Sequence, residues 1–535
     1  MTVAALSPAK AHAVGNPWLV AAVVVVPTFM EVLDTTIAVV ALRYIVGGLS
    51  ATVDDGEWVL TSYLAANAII LPITGWLSAH LGRRNYFLVS IAVFTLSSLL
   101  CGMAGSLGQL ILFRVMQGLA GGGLQPSSQG VLLDAFPVEK QGIAMTLFGF
   151  AALIAPVVGP TLGGWITDSY SWRWVFLINV PVGLLALAGC YALLRDPDYL
   201  VTQRMELRKQ PLHFDSIGLS LLVIVIVCWE VMLSKGQEWD WLGDPFWRVQ
   251  TLAIFFTVGL VGLIYWELHH RNPVVNFRPL AERNFAACCI IIFCAYLVLY
   301  AASTSLPGLL QSLFGYDALS AGLVMSPGGI FAVLAMPIVG RLLGRGTDCR
   351  WLIAAGLLIM TAGNYWMSQL NLDISPGQAV WPRVLVVAGL AVCFAPVNVA
   401  AYLYTPMALR GAAVGLLSLL RNEGGSVGTS LAQTFQERRD QFHTLRLGEY
   451  LDPFNAAAKA FLAQAQSLFL PQTADPVALQ QLAWQQLENV RQQQASSLAY
   501  FDIFWMIAVL TFAVAFLVLF MKRSVAEKGG HIGVE

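Results

Sequence analysis

Apolar stretches of about 20 residues recur along almost the whole chain. A helix needs roughly 20 apolar residues to cross the hydrocarbon core of a bilayer. Inside lipid a segment must satisfy its own backbone hydrogen bonds, so these stretches predict helices and not open sheets. We count fourteen spans, which predicts an all-α polytopic membrane protein. The spans cover residues 18–42, 57–79, 85–105, 108–132, 142–167, 173–194, 215–234, 247–267, 284–310, 318–340, 351–370, 380–403, 411–434 and 500–521.

Composition excludes most other classes of protein. Charged residues make up 11% of the 535 residues, against about a quarter in soluble proteins. The net charge of −1 argues against a nucleic-acid partner. The sequence has neither a GxxxxGKS/T nor an HExxH motif, so we expect no ATP-binding loop, no metal site and no cofactor. The eight cysteines lie in spans or in an inner loop and predict no disulfide framework.

Positive charge orients the chain. An even number of spans puts both termini on one side, and the side whose short loops are rich in lysine and arginine is cytoplasmic. With the N-terminus inside, the inner segments hold 18 such residues, the outer segments and span ends hold five, and one long outer loop holds five more. Both termini are therefore predicted to be cytoplasmic. The five at outer positions are Arg43, Arg173, Lys235, Arg248 and Arg383.

A short internal repeat indicates two related halves. Pro72–Leu77 (PITGWL) closes span 2, Pro337–Leu342 (PIVGRL) closes span 10, and a short basic loop follows each. If these spans correspond, two extra spans lie between two six-span halves, in a 6+2+6 arrangement. Repeated halves predict a substrate site between them near the bilayer midplane. The predicted domains are an N-terminal half 1–196, a linker with the extra spans 197–283, a C-terminal half 284–521 and a tail 522–535.

The outer loop 435–499 is the sizeable segment outside the spans. Asp452–Pro453 and Asp475–Pro476 each precede a stretch rich in Ala, Gln and Leu, and Asp-Pro suits the start of a helix. Two amphipathic helices are predicted outside the membrane, over 456–469 and 477–497. They form either a solvated hairpin or a docking surface for a partner.

Charged residues within spans are candidates for proton coupling or substrate binding, because charge inside a bilayer is costly. Glu31 and Asp34 share a face of span 1, and two close carboxyl groups in a poorly solvated site favour a proton on at least one of them. Arg114 in span 4 needs an acid, and one of these two is the predicted partner. The alternative is a static buried ion pair. Glu230 in span 7 and Glu423 in span 13 are further candidate acids.

Span 5 contains the stretch Ala155–Gly164, which holds two prolines and three glycines. Neighbouring helices tolerate such residues in a membrane, and small residues allow close packing. We predict either a packing seam or a conformational pivot at which the two halves close, with Gly424–Gly428 of span 13 as its counterpart. The candidate residues are Pro156, Gly159, Pro160, Gly163 and Gly164.

Several motifs resemble the major facilitator superfamily (MFS), specifically its fourteen-spanning drug:proton antiporters of the EmrB type. Leu33–Ala38 (LDTTIA) is similar to the first-span signature, and Gly159–Gly164 (GPTLGG) to the antiporter motif of span 5. Leu110, Arg114 and Gln117 resemble the span-4 motif whose arginine is linked to proton transfer. The motif of loop 2–3, a cytoplasmic gate in that family, is represented by Gly75, Gly82, Arg83 and Arg84.

The resemblance implies the MFS fold, protons as the coupling ion, and export of amphipathic or lipophilic toxic compounds. It also implies a bacterial inner-membrane location and a tripartite pump, completed by a periplasmic membrane-fusion adaptor of the EmrA type and an outer-membrane channel of the TolC type. Loop 435–499 is then the expected adaptor contact. The competing hypotheses are an exporter dedicated to one endogenous metabolite or fatty acid, and a membrane scaffold that transports nothing.

Overall fold

Each of the fourteen predicted spans coincides with one helix or with two consecutive helices of the computed structural model. The structure describes residues 16–525 except 137–140, 198–199, 203, 206–214, 271–272, 374, 407–408, 452–454, 472 and 474. We number the helices by span: α1 Pro17–Gly48, α2 Trp58–Leu81, α3 Arg83–Met103, α4 Leu107–Gly121 and Leu124–Ala135, α5 Gln141–Ser169, α6 Trp174–Leu177 and Asn179–Leu193, α7 Ser216–Lys235, α8 Arg248–His269, α9 Arg283–Ser312, α10 Ala318–Met325 and Pro327–Gly344, α11 Cys349–Ser368, α12 Pro376–Leu403, α13 Arg410–Gly448 and α14 Pro476–Ala515.

Apolar length alone identifies most of these spans. Ten spans in the described part of the chain are long and apolar enough to cross a bilayer, and an eleventh is formed by Leu147–Pro156 and Thr161–Ser169 of α5, which meet at 49°. Proline and glycine at that break explain the bend, because they weaken the backbone hydrogen-bond ladder. The remaining spans, α4, α11 and α13, carry more polar side chains, and two of them contribute to the site described below.

The helices form two six-helix halves with the same packing scheme. In the first half α5 lies along α1, and α4 packs against α2 and α3; in the second half α13 lies along α9, and α12 packs against α10 and α11. Helix α7 packs against α8, α2 and α13, so it touches both halves. This packing supports the 6+2+6 arrangement inferred from the sequence repeat.

Glycines bring the paired helices together in both halves. A Cβ atom added to Gly159 of α5 would lie 2.1 Å from Thr36 Oγ1 of α1, and one added to Gly428 of α13 would lie 2.2 Å from the Leu297 carbonyl oxygen of α9. No side chain fits at either position. The sequence counterpart proposed for the α5 stretch, Gly424–Gly428, therefore occupies the equivalent seam of the second half.

The halves meet through α5 and α10 near one face of the bundle and through α2 and α13 near the other. We call the face at which α1 begins the terminal face and the opposite one the distal face. Thr161 of α5 hydrogen-bonds Ser326 of α10 at 3.0 Å toward the distal face. Toward the terminal face, the backbone of Gly411 lies 3.5 Å from a Cβ atom built on Gly75.

Helices α13 and α14 extend well beyond the distal face. They have 39 and 40 residues, or about 60 Å each at 1.5 Å per residue, twice the thickness of a hydrocarbon core. The helix predicted over 456–469 is present as Ala456–Phe469, and it packs against α14. The second predicted helix starts at Pro476 with Asp475 as its N-cap, but it is continuous with α14 and not a separate helix. Asp452–Pro453 lies outside the described residues; Asn455 caps the shorter helix.

Candidate functional site

A buried ion pair joins α1 to α4. Arg114 Nη1 lies 2.5 Å from Asp34 Oδ2, and both side chains are fully buried. The other carboxylate oxygen, Oδ1, accepts hydrogen bonds from Gln117 at 2.9 Å and Asn179 at 2.6 Å. Asp34 thus accepts three hydrogen bonds and donates none, which is the bonding pattern of an ionised carboxylate. Of the two acids predicted as partners of Arg114, the structure selects Asp34.

The guanidinium of Arg114 is held from several sides. Its Nε donates to the Val59 carbonyl at 3.1 Å and its Nη1 also donates to Gln117 Oε1 at 2.8 Å. Its central carbon lies 4.1 Å from the ring centroid of Tyr63. Every one of these contacts comes from the first half, so the Asp34–Arg114 pair does not itself cross between the halves.

Glu31 lies one turn from Asp34 on α1 and belongs to a different network. Its Oε1 accepts from Asn67 at 3.0 Å and Tyr63 at 3.3 Å, and its Oε2 accepts from the Gln125 amide at 2.5 Å. The carbonyl oxygen of the same Gln125 amide accepts a hydrogen bond from Arg421 of α13. One amide therefore connects an acid of the first half to a guanidinium of the second.

Two further amide contacts cross the interface beside this bridge. Asn422 of α13 donates to Asn67 Oδ1 at 2.9 Å, and Gln129 of α4 donates to Asn398 of α12 at 3.0 Å. All four side chains are buried or half-buried. Because Asn67 also binds Glu31, two of the three crossing contacts depend on the Glu31 carboxylate.

Glu230 and Glu423 form a second acidic site, between α7 and α13. Their side chains are 3% and 7% exposed, and they are close enough to interact electrostatically. Neither carboxylate oxygen of Glu423 has a hydrogen-bond partner among the described residues; the Trp229 indole lies nearby without hydrogen-bond geometry. Ser426 faces Glu230. The structure thus brings together two acids that the sequence left as separate candidates.

The glycine stretch of α5 contacts both halves of the bundle. A Cβ atom added to Gly163 would lie 3.2 Å from Ile37 of α1, and Gly159 meets Thr36 of the same helix, so both glycines pack within their own half. Pro156 and Gly164 are buried, and Pro160 lies at the 49° break of the helix. Thr161 alone makes a side-chain hydrogen bond to the second half from this stretch, in the described residues.

The loop 2–3 residues lie at the terminal face and bind other helices of the first half. Arg83 forms an ion pair with Asp134 at the end of α4. The Arg84 backbone N–H donates to Asp196 at 2.8 Å, and its guanidinium donates to the Tyr191 carbonyl at 2.9 Å. Gly82 has φ +89°, which only glycine adopts without strain.

The sequence alone assigned no role in the site to three polar residues that the structure places there. Gln125 was not singled out, although an amide inside an apolar span signals a buried partner. Arg421 lies within predicted span 13, and in the structure it connects to Glu31 through Gln125. Arg383 was counted with loops and span ends, yet it lies eight residues into α12 and is fully buried. In the described residues, no group of three or more His, Cys, Asp or Glu side chains could hold a metal ion.

Two pseudo-symmetric six-helix bundles, with buried charges concentrated around their interface, define a secondary transporter. The chain belongs to the major facilitator superfamily, whose family model matches residues 24–429. It is 36% identical over 511 residues to the multidrug export protein EmrB of Escherichia coli (strain K12), and the match covers 95% of each chain. It is 35% identical over 428 residues to the fatty acid resistance protein FarB of Neisseria gonorrhoeae, covering 80% of this chain and 82% of that one.

A solved structure agrees on the fold. The proton:xylose symporter XylE superposes with a TM-score of 0.55 at 13% identity, covering 93% of this chain and 95% of the other. Such low identity shows a shared fold alone. Together the relatives confirm the predicted resemblance to EmrB-type exporters and the fourteen-span MFS fold, and membership of this family means a transporter and not an enzyme.

Proposed function

We propose that this chain is a proton-coupled exporter of amphipathic and lipophilic toxic compounds that works by alternating access. The observation that carries the proposal is the Glu31–Gln125–Arg421 bridge, because it links an acid beside the Asp34–Arg114 pair to the opposite half of the transporter. A membrane potential of 100 mV supplies roughly 2.3 kcal/mol per charge moved, which sustains about a fortyfold gradient.

Asp34 is the proposed proton carrier. A proton on its carboxyl group removes the negative charge that Arg114, Gln117 and Asn179 face, so all three hydrogen bonds become weaker. Arg114 loses its counter-charge at the same time. A buried guanidinium without a partner is costly, so the helices that surround it are driven to rearrange.

Glu31 is the proposed link between protonation and the movement of the halves. We propose that a proton bound at Oε2 of Glu31 turns the Gln125 amide, so that the amide oxygen faces the new donor. Its NH2 group then faces Arg421, and the attraction across the interface is lost. Glu230 and Glu423 are proposed as a second proton site, since two buried acids at close range cannot both be charged without a large penalty.

The glycine stretch of α5 is proposed as the pivot, with Gly159 and Gly163 fixed on α1 and Thr161 facing the second half. Gly75, Gly82, Arg83 and Arg84 are proposed to stiffen the gate at the terminal face. By the charge distribution, that face and both termini are proposed to be cytoplasmic, in a bacterial inner membrane. We keep the domain bounds predicted from the sequence as part of this proposal: 1–196, 197–283, 284–521 and 522–535.

Proteoliposomes with an acidic lumen test the proposal. We expect a lipophilic dye to accumulate inside while lumenal protons are released, and a protonophore to abolish the accumulation. Asp34→Asn should abolish it too, whereas the exposed control Asp373→Asn should not. Uptake that survives both the protonophore and Asp34→Asn would contradict proton coupling through this site. Proton release on adding dye to detergent-purified protein excludes the scaffold hypothesis.

A narrower substrate range is the second candidate function. The 35% identity to a protein named for fatty acid resistance supports an exporter of one endogenous metabolite or fatty acid. A panel of dyes, antibiotics and fatty acids in the same proteoliposomes separates the two candidates. One compound transported far faster than all the others favours the narrow function; comparable rates for several unrelated compounds favour the broad one.

We further propose that the chain is the inner-membrane part of a tripartite pump, with an EmrA-type adaptor and a TolC-type channel. The distal extension of α13, α14 and the helix Ala456–Phe469 supports this proposal, because it offers helical surface outside the membrane. Replacing residues 451–474 by a short Gly/Ser linker leaves α13 and α14 intact. We expect it to abolish co-purification with the adaptor and to spare dye uptake; unchanged co-purification would refute the contact.

A further inference from the structure

Arg383 carries a buried guanidinium for which the described residues supply no counter-charge. Its side chain on α12 is fully buried. Nη2 donates to Ser303 Oγ of α9 at 2.7 Å, but Nε and Nη1 have no hydrogen-bond partner among the described residues. Within the described part of the chain no carboxylate forms an ion pair with it. Burying a guanidinium is tolerated when an anion and hydrogen bonds compensate for the lost water, and here most of that compensation is missing.

Arg383 occupies the place in the second half that Arg114 occupies in the first. Arg114 is the eighth residue of α4 counted from Leu107, and Arg383 is the eighth residue of α12 counted from Pro376. Helix α12 packs against α10 and α11 as α4 packs against α2 and α3. Each guanidinium also binds a residue that lies 80 positions earlier in the chain, Asp34 in one half and Ser303 in the other.

The residues that face the two guanidinium groups differ in charge. In α1 the sequence is Asp34-Thr35-Thr36, and in α9 it is Ser303-Thr304-Ser305. Both acceptors supply an oxygen to the guanidinium, but Asp34 also supplies a negative charge and Ser303 does not. The guanidinium of Arg114 therefore has a counter-charge within its own half, whereas among the described residues no carboxylate pairs with the guanidinium of Arg383.

An apolar recess lies one helical turn from Arg383 along α12. This recess of about 410 Å³ opens toward the distal face between α10 and α12 and is lined in part by Leu323, Val324 and Val380. Val380 precedes Arg383 by one helical turn on the same helix. Arg383 is fully buried and does not itself line the recess, so an anionic group reaches it only when the bundle opens along α12. An apolar recess one helical turn from a buried cation matches an amphipathic molecule that carries one anionic group.

We propose that Arg383 binds the anionic group of the exported compound, so that the transporter takes amphipathic organic acids, with a carboxylate or a similar oxyanion, in preference to their neutral analogues. This proposal rests on the proposed export function. The substrate anion then pairs with Arg383 in the second half as Asp34 pairs with Arg114 in the first. The proton site and the substrate site are thus symmetry-related versions of one arrangement, with the acid built in on one side and carried by the substrate on the other.

Equilibrium binding to the purified full-length protein tests this inference without any proton gradient. The probes are a dansyl-labelled amphipathic carboxylic acid and its methyl ester, which share their apolar part and differ in charge. Wild type should bind the acid about tenfold or more tightly than the ester, the range expected for hydrogen bonds to a charged group. Arg383→Gln should remove that preference by weakening the acid alone, and the exposed control Arg341→Gln should leave it unchanged.

Ser303→Asp is the matched variant, because it keeps Arg383 and supplies the missing charge from within the protein. We expect it to fold at least as well as wild type and to weaken the acid as much as Arg383→Gln does. Three results would overturn the proposal: a wild type that does not prefer the acid, an Arg383→Gln variant that binds the acid within twofold of wild type or loses both probes equally, or a Ser303→Asp variant with unchanged affinity for the acid. Failure of proton-driven uptake with binding preserved would refute the export function and leave the anion site standing.

Discussion

The buried pair of Asp34 and Arg114 allows its structural role to be separated from its role in proton coupling. Asp34→Asn leaves Arg114 without an anion, and Arg114→Met leaves Asp34 without a cation, in a site where both side chains are fully buried. Breaking a buried pair by removing one partner costs about 3–5 kcal/mol. Asn at position 34 also turns an NH2 group toward Gln117 or Asn179, which both donate there.

The double variant Asp34→Asn with Arg114→Met removes both charges together. Replacing both partners of a buried pair is often nearly neutral, so we expect the double variant to lose no more than about 2 kcal/mol. The two substitutions should therefore be strongly non-additive. Reversible unfolding in mixed detergent–SDS micelles measures the free energies, and proton-driven dye uptake in proteoliposomes measures function for the same four proteins.

Stability and transport should then diverge. The double variant should recover most of the stability lost in either single variant and still fail to couple protons to dye uptake, because no titratable group remains at position 34. A double variant whose loss of stability equals the sum of the two single losses would show that the residues do not interact as the structure indicates. A double variant that still releases protons on dye uptake would show that the pair is structural only.

Three further outcomes follow from the contacts. Gly159→Ala should destabilise the protein by about 1–3 kcal/mol and slow transport, because its Cβ atom would lie 2.1 Å from the Thr36 side chain of α1. The control Gly108→Ala, whose Cβ atom would have nothing within 4 Å, should change neither unfolding nor uptake in the same assays. Glu31→Gln mimics the protonated acid, so it should keep the fold but change the rate of chemical cross-linking between α4 and α13. An unchanged cross-linking rate would contradict the bridge. Asp244 lies in the loop between α7 and α8, where the hydrogen bond from Arg248 lowers its pKa to about 2. Its stabilising effect is thus complete above its ordinary value of 3.8 and is lost as the pH falls through about 2. Asp244→Asn should therefore lower the free energy of unfolding by a constant amount between pH 5 and pH 8 and flatten the stability profile between the two pKa values.

The sequence determined the membrane fold because bilayer physics acts locally. A span must be apolar over roughly 20 residues whatever it later packs against, so the number and order of helices could be derived from hydropathy. The same reasoning marked Asp34 and Arg114, because a charge within a span stands out against an apolar background. Helix starts could also be predicted where a local signal exists, as at Asp475.

Only the tertiary structure decided which residues meet. Successive residues of a helix point about 100° apart, so a small rotation of a helix exchanges its partners, and the contacts join positions far apart in the chain. The sequence could not choose between Glu31 and Asp34 as the partner of Arg114, and it missed the bridge from Glu31 to Arg421 through Gln125. It also placed Arg383 among the span ends, although the rise of α12 carries it into the bundle opposite Ser303. The sequence shows that a charged residue lies within a span and that burying it costs free energy. Whether another group compensates for that charge depends on how the two halves pack.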